Sequence, residues 1–140
     1  MTNRSIYLTE YDLRRLEPLV ESARRYERAD AQSLELLQKE LDRAILCDAG
    51  ELPDDVVSVN SQVLVTDLES GKKAEYTIVF PRDANYEERR ISVLAPIGTA
   101  LLGYTKGSEV EWPTPGGLRR FRIERVRRPI RQRASTAKIA

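Results

Sequence analysis

The spacing of apolar residues changes once along the chain, from helical to alternating, near Val56. Leu13, Leu16, Val20 and Ala23 recur at intervals of three and four residues, and Leu34, Leu37, Leu41 and Ala44 repeat that rhythm. Each set is a narrow seam, so the pattern predicts two helices of about 16 residues, each roughly 25 Å long. Facing seams would make an antiparallel helical hairpin, a short coiled coil. Thr9 with Asp12 three residues on supplies an N-cap for the first helix, and Asp30 supplies one for the second. Pro18 predicts either a kink near Arg14–Pro18 or a later start, because proline removes a donor and crowds the carbonyl four residues before it. The second helix is expected to end near Ala49-Gly50, and residues 51–55 read as a linker.

Beyond the linker, Gln62 to Thr66 and Ala74 to Phe80 read as strands joined by the turn Glu69-Ser70-Gly71-Lys72. Arg90 to Leu94 is a shorter strand. Pro96 opens and Gly103 closes a short buried helix. Glu109 to Trp112 and Leu118 to Val126 are two more strands, linked by Pro113-Thr114-Pro115-Gly116-Gly117, and the in-out alternation of the last one slips near Arg125. The class is therefore α+β: a helical hairpin over residues 1–50, a linker over 51–55, an antiparallel sheet with one helix over 56–129, and a loose basic tail over 130–140.

Composition narrows the chemistry. The 140 residues contain no histidine and a single cysteine, Cys47, so histidine-based triads, His-ligated zinc, a Cys-rich metal site and an internal disulfide are all excluded. No run approaches the roughly 20 apolar residues of a membrane span, and residues 1–7 lack the apolar core of a signal peptide, so a cytoplasmic location is expected. No cofactor, no metal and no enzymatic activity are expected. The net charge of +1 conceals an uneven distribution. Residues 1–55 carry 8 Lys/Arg against 13 Asp/Glu, whereas residues 118–140 carry 9 against 1. Such asymmetry suggests surfaces addressed to different partners.

Ile91-Ser92-Val93-Leu94-Ala95-Pro96-Ile97-Gly98-Thr99-Ala100-Leu101-Leu102-Gly103, followed by Gly107-Ser108-Glu109-Val110 and Pro115-Gly116-Gly117, resembles the C-terminal domain of the Gre-type bacterial transcription elongation factors. The short hairpin, with Glu40-Leu41-Asp42-Arg43-Ala44 and Asp55 to Ser61, is most similar to the Rnk subgroup, named for regulation of nucleoside diphosphate kinase. The resemblance implies an FKBP-like fold for residues 56–127 and binding to core RNA polymerase at its secondary channel. Docking would use Ser92, Leu94, Ala95, Pro96 and Ile97. In cleavage-competent Gre proteins a much longer coiled coil carries an Asp-x-x-Glu pair at its tip, which helps hold a catalytic magnesium. Here the turn reads Glu27-Arg28-Ala29-Asp30, with the acids exchanged and an arginine between them, on helices too short for that reach. Leu94 and Ala95 also stand where the cleavage factors commonly have an acid and a serine. The expectation is a regulator that binds the polymerase and competes at the channel mouth without stimulating cleavage.

Each of these features has a plainer reading beside it. Glu27, Arg28 and Asp30 would serve equally as a solvated turn with a helix cap. Trp112, Tyr76, Phe80 and Phe121 could line a prolyl-isomerase pocket, or simply fill the core of a chain that is 6% aromatic. Pro113 to Gly117 leads into a strand and not a helix, so it reads as a hairpin turn and not a phosphate loop. The arginine cluster of Arg119, Arg120, Arg122, Arg127, Arg128, Arg131 and Arg133 could contact nucleic acid, steer the protein toward an acidic surface, or decorate a sheet face. Seams joined by a short turn meet within one chain, so a monomer is favoured.

Overall fold

The structure is a computed structural model, and it describes residues 6–27, 29–114 and 116–128. Expectations placed on Arg28, Arg131, Arg133 and the 130–140 tail lie outside the described residues. The chain is a mixed α+β fold. Its elements in order are β1 (Tyr7–Thr9), α1 (Glu10–Arg25), α2 (Ala31–Asp42), β2 (Ile45–Cys47), β3 (Gln62–Asp67), β4 (Lys73–Val79), β5 (Arg90–Ser92), α3 (Pro96–Leu101), β6 (Glu109–Thr114) and β7 (Gly117–Arg127).

Both predicted caps form. The Thr9 hydroxyl accepts from the Asp12 N–H at 3.0 Å, and Asp30 Oδ2 accepts from the Ser33 N–H at 3.0 Å. α1 begins at Glu10 and not later, and it runs through Pro18, whose side chain lies on the exposed face. α2 is shorter than the periodicity predicts. It stops at Asp42, and Ile45–Cys47 pairs in parallel with β1, starting from an Ile45 N–H bond to the Ile6 carbonyl at 2.8 Å. The aliphatic Ile45-Leu46 continued the apolar rhythm of a helix, but a waiting partner strand turned it into sheet.

The larger sheet has the order β5-β4-β3-β7-β6. β3–β4, β3–β7 and β6–β7 are antiparallel as expected, but β5 lies parallel to β4, so the sheet is mixed and not wholly antiparallel. The connection between β4 and β5 explains this, since two 3-10 turns at Pro81–Asp83 and Tyr86–Glu88 carry the chain back before β5 begins. The slip in alternation near Arg125 is a β-bulge: Leu64 pairs with Arg125 while Val65 pairs with Ile123. Trp112 stacks on Phe121 with ring centroids 3.8 Å apart, so these two aromatics are spent on packing.

The buried side chains form one cluster that includes the helix seams and the sheet. Leu16, Val20, Leu37 and Leu41 share it with Val57, Val63, Ile78, Leu101 and Ile123. Gly103 is the junction. With φ at +85° it donates to the Val57 carbonyl at 2.8 Å and accepts from the Tyr7 N–H at 3.1 Å. A Cβ there would stand 2.4 Å from the Ile6 Cβ, so the absence of a side chain lets the entering chain cross directly over the end of α3.

A second close approach shapes the loop before α3. A Cβ on Gly98 would lie 2.1 Å from the Ser92 carbonyl oxygen, a backbone atom that cannot move without shifting β5. Gly98→Ala is therefore expected to destabilise the fold by about 1–3 kcal/mol, read from the urea unfolding midpoint. An unchanged midpoint would contradict this packing.

Candidate functional site

The turn between α1 and α2 is built by two local devices. Tyr26 caps α1, its N–H donating to the Ser22 carbonyl at 3.0 Å, and Glu27 then reverses the chain in the left-handed region at φ +53°. Glycine or asparagine is the usual occupant of such a position. Asp30 ends the turn with one carboxylate oxygen committed to the Ser33 N–H and, at 3.3 Å, to the Ser33 hydroxyl. Around Glu27 lies a shallow depression of about 790 Å³, whose rim sets Arg24 and Lys39 against Glu27 and Glu35. Among the described residues, the rim of this depression is thus charge-balanced.

The loop from Ser92 to Ile97 is folded upon itself. The Ser92 hydroxyl accepts from the Leu94 N–H at 3.0 Å, the Ser92 carbonyl accepts from the Ala95 N–H at 3.0 Å, and the Thr99 hydroxyl donates to the Val93 carbonyl at 3.0 Å. These polar groups are satisfied internally, which leaves Ala95, Pro96 and Ile97, all half-buried, as an apolar outer surface over the buried Leu94. Pro96 occupies the first position of α3.

The structure brings the turn and the loop together. Ala29 packs against the core, and a cleft of about 320 Å³ is lined on one side by Leu19, Ser22, Ala23, Ala29 and Asp30 and on the other by Pro81, Ser92, Leu94, Ala95 and Pro96. The sequence carries no sign of this contact between residues more than 60 positions apart. Ser92, Leu94, Ala95, Pro96 and Asp30 therefore share one site, with Ile97 on the same turn of α3 and Glu27 on the far side of the turn.

The arginines of β7 lie elsewhere and are answered locally. Arg119 pairs with Asp67 and with Glu69, Arg120 and Arg122 with Glu109, Arg122 also with Glu124, and Arg125 with Glu75. The hydrogen bond from Arg119 holds the Asp67 carboxyl below its ordinary range. Arg127 is exposed. Arg128 turns inward, its side chain only 9% exposed, donating to the Leu52 carbonyl and to Asp54 at 3.0 Å each. Among the described residues, no group of three or more His, Cys, Asp or Glu is placed to hold a metal ion, and no helix is long and apolar enough to cross a membrane.

Asp12 escaped the sequence reading, which gave it only a place in the first turn of α1. It is 4% exposed. Burial pushes its carboxyl up to about 6, against the opposing effects of the Val59 backbone N–H, Arg15 and Arg128. The only available signal was its position one residue before Leu13, on the edge of the apolar seam.

Residues 52–128 match the family model described as transcription elongation factor GreA/GreB, C-terminal, and residues 4–46 match that of the Rnk N-terminus. The chain is 35% identical over 118 residues to the regulator of nucleoside diphosphate kinase of Escherichia coli strain K12, covering 84% of this chain and 85% of the relative. It is 37% identical over 90 residues to transcription elongation factor GreA of Syntrophus aciditrophicus, covering 64% of this chain and 56% of the relative. Among solved structures, a prokaryotic transcription elongation factor GreA/GreB from Nitrosomonas europaea superposes with a TM-score of 0.74 at 37% identity, over 89% of this chain and 99% of that one.

Two outcomes follow from the site's geometry. Folded Asp12 keeps its proton up to about 6 while an unfolded chain releases it near 3.8, so the folded state binds more protons between those values. Its contribution is therefore full below 3.8 and is lost as pH rises to about 6. Relative to Asp12→Asn, the native chain should lose on the order of 3 kcal/mol across that window in denaturant titrations. A pH-independent difference would contradict the buried placement. Glu27→Gly should raise stability by about 0.5–1 kcal/mol by relieving the left-handed residue, an increase in Tm readable by calorimetry.

Proposed function

Because the chain belongs to the GreA/GreB and Rnk family of transcription elongation factors, we propose that it binds core RNA polymerase at the secondary channel and regulates elongation there without stimulating transcript cleavage. In this reading α1 and α2 act as a helical hairpin braced at its base by β1 and β2, residues 56–129 act as an FKBP-like docking domain joined to it by 51–55, and the protein works in the cytoplasm as a monomer.

One observation carries the proposal: the α1–α2 turn sits beside the apolar Ser92–Pro96 loop, across a single cleft. α2 has 12 residues, about 18 Å of helix. If the loop rests on the polymerase rim, Glu27 and Asp30 stay at that rim. Catalytic magnesium chemistry needs carboxylate oxygens within roughly 2.1 Å of the ion, which a tip held beside its own docking loop does not supply to a distant centre. One oxygen of Asp30, Oδ2, is already engaged in capping α2. The helix pair then acts by occupying the channel mouth, where it would exclude other factors. Nucleic-acid contact by the basic C-terminal segment has less support, because five of its arginines are already paired with neighbouring carboxylates or a carbonyl.

A second reading keeps cleavage stimulation through Glu27 and Asp30. The strained backbone of Glu27 favours it, since such conformations often persist at working sites.

Immobilised core polymerase should retain the protein at micromolar concentration and low salt, and Ala95→Arg, which fills the cleft edge, should weaken retention at least about tenfold. Absence of retention by the native chain would sink the proposal. Stalled, backtracked complexes incubated with the protein should show no shortening of their transcripts; shortening abolished by Glu27→Gln would establish the second reading instead.

A further inference from the structure

On the far side of α3 from the cleft lies a groove of about 460 Å³, walled by α2, α3 and β6. Its volume is within the range of ordinary ligand sites. Leu36 stands outside the α2 seam and is 46% exposed. One exposed leucine is unremarkable, but here it lines the same groove as Pro96, Ala100, Trp112 and Pro113, so the walls carry several apolar side chains.

The groove is acidic where it is polar. Glu40 Oε2 accepts from the Tyr104 hydroxyl at 3.1 Å, while Glu40 Oε1 is buried with no hydrogen bond, its nearest cation being Arg43 at 3.6 Å. Both oxygens of Glu40 thus face partners within the chain, and what the carboxylate adds to the groove is negative charge on its α2 wall. Glu111 is exposed on the opposite wall and makes no ion pair among the described residues. Among the described residues, the one cation lining the groove, Arg120, lies 3.9 Å from Glu109. Pro96 lines both this groove and the cleft beside the α1–α2 turn, so the two flank the same residue on opposite sides.

We propose that this groove receives a protein segment carrying lysine or arginine between apolar side chains, contributed by the same partner that docks on the Ser92–Pro96 loop. The assignment of that partner rests on the polymerase reading above. The apolar residues of the segment cover Leu36, Ala100 and Pro113, and its cation pairs with the exposed Glu111, with the Glu40 carboxylate adding negative charge on the α2 wall, which fixes register by charge. Nucleic acid is disfavoured by the sign of the rim.

The test uses the full chain and two labelled peptides, one alternating pairs of leucine and lysine and the other pairs of leucine and glutamate, followed by fluorescence anisotropy. The lysine peptide should bind and the glutamate peptide should not. Glu111→Gln and Leu36→Lys, both at exposed positions that leave the core untouched, should each weaken binding at least about fivefold, as should Glu40→Gln. Excess lysine peptide should displace the protein from core polymerase. Binding unchanged in these variants, equal binding of both peptides, or self-association abolished by Leu36→Lys would overturn the proposal. Retention on polymerase without displacement would overturn it while leaving the polymerase reading intact. Peptide discrimination without any retention would end the polymerase reading, and with it the partner assigned here.

Discussion

The arrangement of the whole molecule depends on the crossing at Gly103. The chain enters over the end of α3, and only a residue without a side chain lets Ile6 come so close while the Gly103 backbone bonds to both Tyr7 and Val57. β1 is fixed by that crossing, β2 pairs with β1, and α1 and α2 are strung between them. The helix pair is therefore held at its base by backbone hydrogen bonds and along its length by the shared core. Its tip has no freedom to point elsewhere without opening that core, which is why the turn lies against the loop before α3.

A factor that docks by the Ser92–Pro96 loop brings the α1–α2 turn to the same surface, so contact and occlusion are achieved together. Reach, by contrast, is sacrificed. The charge distribution fits this division of labour. The acidic helices and basic β7 nearly cancel over the chain, and on the sheet the cancellation is local, with Arg119, Arg120 and Arg122 each facing a carboxylate of an adjacent strand and Arg125 reaching across β3 to Glu75 of β4. Exposed pairs of this kind stabilise the fold weakly, but they remove the basic face that a count of arginines suggests.

Much of this was legible from residues whose physics is local. Thr9 and Asp30 announce the helix starts through side chains that can accept from free N–H groups, Pro96 and Gly103 bracket α3, and the broken alternation at Arg125 marks the bulge. What was hidden depends on distant partners. Ile45-Leu46 is neutral between helix and strand until Tyr7–Thr9 supplies an edge, and nothing near β5 shows that it will lie parallel to β4. Asp12 reads as a capping acid because its burial comes from the tertiary fold, and two of the groups that then act on its carboxyl, Val59 and Arg128, lie 47 and 116 positions away. The candidate site was half visible: its residues were identifiable one by one, but their meeting across a cleft was not.

The central claim, that turn and loop form one docking surface, is tested most directly by site-specific crosslinking of the polymerase complex from position 27 and from position 95. The account predicts that both positions mark neighbouring sites on the outer rim of the secondary channel. Crosslinks from position 27 to the polymerase active centre, with position 95 still at the rim, would contradict it.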